Sequence, residues 1–230
     1  MSGTLVTEWR RARAVAWKDL RAERRTKANF NAVLAMAALV LLLFGFALGP
    51  DAEALRGAAA GVLWLAILFS GVLAFNRSYQ LELEGGAMEQ LLLYPGERAS
   101  IFVGKVAANL IFVFLVEAVT IPMAMVLYQM EVPGQWGRLA AVLGLGTFGF
   151  VTLGTFYAAM ASRTRAREVL LPLLLFPMLV PVVIGATEAT KAILGGDVMG
   201  NSGAWLRLIA GFDAVFALVA TWAFEHVVSD

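Results

Sequence analysis

The chain contains no cysteine and a single histidine, His226. Without thiols there is no disulfide framework and no thiolate metal site. A single histidine cannot supply the H-E-x-x-H pair of a zinc protease, and one placed as far along the chain as His226 is not expected to serve a buried serine protease. Charge is also scarce: Asp, Glu, Lys and Arg make up 15% of the residues, against about 25% in ordinary soluble domains. The phosphate-cradling pattern G-x-x-x-x-G-K-[ST] is missing as well. Gly104-Lys105 is followed by Val106, and no glycine stands five positions before Gly104. A protein of this composition is therefore not expected to hydrolyse ATP by that motif, to hold a metal, or to bind nucleic acid.

Apolar residues are what it has, at 60% of 230. They gather into six runs, placed at 28–48, 57–75, 102–128, 138–161, 169–187 and 204–224. A hydrocarbon layer about 30 Å thick takes roughly 20 helical residues to cross. Backbone amides in lipid must bond within their own helix or in a closed barrel. The runs are unbroken rather than alternating, so the expected fold is all-α, with six transmembrane helices in one domain over 28–230. The first run is too long for a signal-peptide core and lies behind a polar stretch, so it reads as a retained span.

Residues 1–27 carry eight Lys and Arg side chains. Leu5, Trp9, Ala12, Ala16 and Leu20 recur at steps of three and four, which lines one face of a helix. An amphipathic surface helix is expected, its cations towards anionic headgroups and Trp9 and Trp17 at the interface. With the N-terminus cytoplasmic, fourteen Lys and Arg fall inside and four, Arg56, Arg138, Lys191 and Arg207, fall outside. That bias places both termini in the cytoplasm. Trp64, Trp136 and Trp205 are expected in an outer aromatic belt and Trp222 in an inner one. The external loop 188–203 carries turn chemistry in Gly195-Gly196-Asp197 and Gly200-Asn201-Ser202-Gly203. Pro122 in the third span, and Pro172, Pro177 and Pro181 in the fifth, remove amide donors and predict kinks. Gly144, Gly146, Gly149 and Gly154 open the fourth span to close helix approach, as do Gly45 and Gly49.

The loop between spans two and three, 76–101, is acidic where positive charge is the rule. Glu82, Glu84, Glu89 and Glu97 interrupt Leu81, Leu83, Met88, Leu91 and Leu92, and Pro95 closes the run. Two readings fit: a helix resting on the inner leaflet, or a helix docking into a cytoplasmic partner. An acidic helix matches an anionic surface poorly, which favours the partner. Glu117 and Asp213 fall near the middle of spans three and six. A carboxylate at bilayer depth costs roughly 2.5–3.5 kcal/mol on insertion scales, so each must face protein or water. They belong either to a polar path or proton-sensitive gate, or to protonated acids bonded across helices.

These landmarks come in a familiar order. Leu48-Gly49-Pro50-Asp51, Gly61-Val62-Leu63-Trp64, Glu89-Gln90-Leu91-Leu92-Leu93 before Pro95, Gly104-Lys105, Phe176-Pro177 and Val180-Pro181-Val182 follow one another along the chain. In that order and spacing the chain resembles the CcmB family, the permease subunit of the haem-exporter complex of cytochrome c maturation. It departs from the family in carrying Ala108-Asn109-Leu110 where His-Trp is common, and Gly85-Gly86 where Asp-Gly is common. The resemblance implies a multi-pass protein of the inner membrane that does not itself hydrolyse ATP and works with a cytoplasmic ABC ATPase. It also implies haem-handling membrane subunits, a periplasmic haem chaperone, and haem as cargo. Two copies per complex are expected. On this view Leu81, Glu82, Leu83, Glu84, Met88, Glu89, Leu91 and Leu92 form the coupling helix that meets the ATPase. With one histidine near the chain's end, any haem contact would come from Met, Tyr, aromatic packing or a partner. Two alternatives stay open: an ABC-2 type permease for a lipid-linked glycan or a drug, and a membrane scaffold without a transport cycle.

Overall fold

A computed structural model describes residues 2–84, 98–162 and 167–227. Among these residues there are seven helices and no strand: α1 (Ser2–Thr26), α2 (Ala28–Leu48), α3 (Ala52–Glu84), α4 (Arg98–Leu127), α5 (Trp136–Ser162), α6 (Arg167–Leu194) and α7 (Ser202–Val227). Six of them are long and apolar enough to cross a bilayer: Ala28–Leu48, Ala52–Phe75, Ala99–Leu127, Trp136–Ala161, Val169–Leu194 and Ser202–Phe224. The protein is an all-α, multi-pass membrane protein. Its spans match the apolar runs in order, with ends that differ by a few residues.

The largest difference is in the loop expected at 188–203. Helix α6 continues to Leu194, because Ala189, Thr190 and Ile193 are buried against neighbouring helices. The loop proper is only the Gly195–Asn201 segment. Helix α3, for its part, does not stop at the bilayer edge but continues to Glu84.

Helices α3 and α5 form the centre, as the most deeply buried of the spans, and α4 packs against both. Helices α2 and α7 are peripheral and turn Phe46, Val215, Leu218 and Trp222 outward. Exposed apolar side chains of this kind suit lipid, which offers apolar groups no reason to hide. The interior is aromatic. Phe75 of α3 meets Phe150 of α5 at 5.0 Å between ring centroids, and Phe102 of α4 meets Phe224 of α7 at 5.0 Å. Tyr128 donates its hydroxyl to the Leu41 carbonyl at 2.7 Å, tying the end of α4 to α2.

Trp64 is not a belt residue. It is 2% exposed, and its indole N–H donates to Thr190 Oγ1 of α6 at 3.0 Å. Once its N–H has a partner, an indole can bury its large apolar body inside a bundle. Trp136 and Trp222 are exposed, as a belt requires, and Trp205 is half-buried.

Candidate functional site

The polar residues of the bundle form a seam along α4 and α5. Lys105, Asn109, Glu117 and Thr120 are buried on α4, and Thr147, Thr152 and Thr155 on α5. Asn109 Nδ2 donates to Thr155 Oγ1 at 2.9 Å. Thr147 Oγ1 donates to Glu117 Oε1 at 2.5 Å. Glu117 is thus bonded across helices. Threonine also has the i−4 carbonyl as a local acceptor, which Thr120 uses by donating to Val116 O at 2.9 Å.

Asp213 of α7 approaches the same turn of α5 from the other side. A Cβ placed on Gly149 would run into its carboxylate and would lie 3.2 Å from Val182 Cγ2. Only glycine lets the two helices close here. Among the described residues neither oxygen of Asp213 has a hydrogen-bond partner, and the same holds for Thr152 Oγ1. An intramembrane acid with no cation and no donor is costly at that depth and must face protein or water. The two acids named from the sequence therefore flank one turn of α5, in unlike settings.

At the end where α4 begins, the seam closes in an ion pair that the sequence reading missed. Lys105 is fully buried, and its Nζ stands 3.5 Å from Asp19 Oδ2 of α1. The residue before it explains how α1 comes so near: a Cβ on Gly104 would sit 2.5 Å from the Ala12 carbonyl oxygen and 2.8 Å from Val15 Cβ. The Gly-Lys dipeptide is thus a docking site for α1, not a phosphate loop. The buried face of α1 is Ala12, Val15 and Ala16, flanked by Asp19. Trp9, assigned to that face from its spacing, is 69% exposed. The signal was available, since Asp19 follows Ala12 and Ala16 at helical spacing.

Other motif residues turn out to be punctuation. Gly49 closes α2 at φ 71°, in the left-handed region that glycine enters freely. Asp51 caps α3, its Oδ1 accepting from Glu53 N at 2.9 Å. Leu48-Gly49-Pro50-Asp51 is therefore a stop and a start. Of the other glycines named, Gly146 and Gly154 are tight against Trp64 and Phe75, whereas Gly144 faces open space.

Of the coupling residues, Leu81, Glu82, Leu83 and Glu84 form the last turn of α3. Met88, Glu89, Leu91 and Leu92 lie outside the described residues. At the opposite end of the bundle, α3, α4 and α6 leave an open cleft of about 680 Å³ lined by Arg56, Met130, Glu131, Lys191 and Leu194 among others. Its rim carries both signs of charge, with Arg56 3.3 Å from Gln129 and 3.8 Å from Glu131. Nearby, Asp197 accepts from Ser202 N at 3.1 Å and from Ser202 Oγ at 2.5 Å, and pairs with Arg138. The Ser202 hydrogen bonds, with Arg138 adding to them, hold the Asp197 carboxyl below its ordinary pKa. Among the described residues no three His, Asp or Glu side chains come together as a metal cage would need.

Residues 10–229 match the CcmB protein family. The chain belongs to that family. It is 33% identical over 180 residues to heme exporter protein B of Rhodobacter capsulatus, covering 78% of this chain and 82% of that one. It is 32% identical over 188 residues to heme exporter protein B of Paracoccus denitrificans, covering 81% and 86%. The Escherichia coli K12 protein of the same name is 32% identical over 181 residues, covering 76% of this chain and 81% of its own. Family membership therefore rests on nearly the whole bundle, not on one motif.

Proposed function

We propose that this chain is the permease subunit of an ATP-driven haem exporter serving c-type cytochrome maturation. The observation that carries this is the family match over residues 10–229 of a chain with six apolar spans. The subunit has no phosphate-binding loop, so ATP hydrolysis falls to a separate cytoplasmic ABC ATPase. Haem is cargo rather than a resident cofactor. The positive-inside rule, applied to fourteen basic residues against four, puts both termini in the cytoplasm of an inner-membrane protein. Two copies working with two ATPases, beside haem-handling membrane subunits and a periplasmic haem chaperone, complete the reading.

Coupling is assigned to residues 81–92. Helix α3 continues nine residues past Phe75 to Glu84, and α4 starts again at Arg98 with α1 clamped to it. A push on the intervening segment would reach α3 and α4 directly. Leu81, Met88, Leu91 and Leu92 supply an apolar face for a groove in the ATPase. Glu82, Glu84 and Glu89 would set orientation and association rate from the rim.

The test is affinity purification of the tagged chain from its native membrane, read by mass spectrometry and haem absorbance. An ATPase and haem should co-purify. Leu91→Asp with Leu92→Asp should lower the recovered ATPase by more than about tenfold, the scale of losing buried anchor residues. The variant chain should remain in the membrane fraction. Undiminished ATPase with the double variant would remove the coupling assignment. A different cargo in place of haem would remove the exporter reading.

A further inference from the structure

Helix α1 has two faces, and among the described residues only one of them is packed against the rest of the protein. The used face, Ala12, Val15, Ala16 and Asp19, is locked to α4 at Gly104 and Lys105. The other carries Trp9, Arg10, Arg13, Trp17 and Arg21, all exposed. At 3.6 residues per turn these five fall within an arc of roughly 120°. Trp9 and Trp17 are 69% and 62% exposed. Arg10, Arg13 and Arg21 carry no ion pair among the described residues.

Two fixed points set the depth of this face. Near its middle, α1 rests on Gly104, five residues into the stretch of α4 that begins at Ala99. At its end, α1 turns through the single residue Lys27, at φ 31°, into α2, whose apolar span begins at Ala28. Both points lie where a span enters the bilayer, about 22 Å apart along α1 at 1.5 Å per residue. An axis held at two such points runs along the membrane surface at headgroup depth. Indoles prefer that depth, with the ring body in apolar surroundings and the N–H towards water. Unpaired guanidinium groups there meet lipid phosphates.

We infer that the outward face of α1, Trp9–Arg13–Trp17 with Arg10 and Arg21, binds anionic phospholipid headgroups of the leaflet from which α2 and α4 start. The buried Lys105–Asp19 pair then hands that lipid anchor to the beginning of α4. The inference depends on the geometry of α1 and not on the cargo.

The full chain can be reconstituted into nanodiscs of phosphatidylcholine containing increasing phosphatidylglycerol, with bromine on the acyl chains of one lipid or the other. The signal from Trp9 and Trp17 is the difference in fluorescence between the native chain and Trp9→Phe/Trp17→Phe. Brominated phosphatidylglycerol should quench it more strongly than brominated phosphatidylcholine at equal mole fraction. Arg13→Gln should raise the phosphatidylglycerol fraction needed for half-maximal quenching roughly fivefold, the effect expected of one basic residue at an anionic surface. Arg10→Gln/Arg13→Gln/Arg21→Gln should abolish the preference, and the matching triple lysine variant should keep most of it, which separates lost charge from lost folding. Equal quenching by the two lipids overturns the inference. So does a signal that neither lipid quenches but that an added ATPase subunit shields, because the face would then belong to that protein.

Discussion

Buried charge is handled differently at the two levels of the α4–α5 seam. Where α4 begins, Lys105 meets Asp19, an opposite charge brought in by a separate helix. Twelve residues further along α4, Glu117 meets only the Thr147 hydroxyl, and Asp213 across α5 has no donor among the described residues. Near a bilayer surface an ion pair can keep part of its hydration, and Asp19 retains 18% of its side-chain exposure. In mid-bilayer that relief is missing, so carboxyl groups there must face protein or water. The paired end is a joint. At the other level no opposite charge stands beside either acid among the described residues.

The paired end should break most dramatically. Asp19→Leu takes one carboxylate away from the buried Lys105 ammonium, and breaking a buried pair on one side costs on the order of 3 kcal/mol. The melting temperature of the detergent-extracted chain should fall clearly, and Lys105→Leu/Asp19→Leu should recover most of the loss. An unchanged melting temperature for Asp19→Leu would show that packing at Gly104, and not the ion pair, holds α1.

The unpaired level predicts a smaller and asymmetric result. Glu117→Gln keeps a partner for Thr147 and should preserve stability. Glu117→Leu removes the bond and should cost about 0.6 kcal/mol, the average for hydrogen bonds between membrane helices, and no more than about 1.7 kcal/mol. Asp213→Leu loses no hydrogen bond and should leave membrane abundance unchanged while lowering haem delivery. A double Leu variant that is both abundant and fully active would take both acids out of the mechanism.

The smallest effect lies outside the membrane, at the Asp197–Ser202–Arg138 clasp. The folded pKa of Asp197 is depressed, so its contribution is present above the ordinary carboxylate pKa and is lost as pH falls through the folded value. Thermal melts should therefore hold steady down to about pH 4, the ordinary carboxylate value, and lose stability as pH falls below it. Asp197→Asn should flatten that dependence without changing the mid-bilayer variants' behaviour. A native pH profile in the Asn variant would place the titrating group elsewhere.

Six spans, their order and their approximate ends were legible in the sequence, as were the acidic character of 76–101 and the mid-span positions of Glu117 and Asp213. Hydropathy over about 20 residues reports the solvent a segment tolerates, and that is a local property. Which side of a span faces its neighbours is not local. The spans are apolar nearly all round, so periodicity does not separate a lipid face from a packed one. Trp64 illustrates this: its neighbours are those of a belt residue, yet Thr190, 126 positions away, takes its N–H and draws it inside. Lys105 could be counted in a charge balance, but its tie to Asp19 required α1 to fold back along α4. The sequence by itself determined that the chain lives in a membrane and how often it crosses. Tertiary structure alone decided that α1 is a strut clamped to α4 and that two acids from different helices share one turn of α5. Contacts between helices depend on their relative rotation and register, which an almost uniformly apolar surface leaves free until packing at Gly104, Gly149 and Gly154 fixes them.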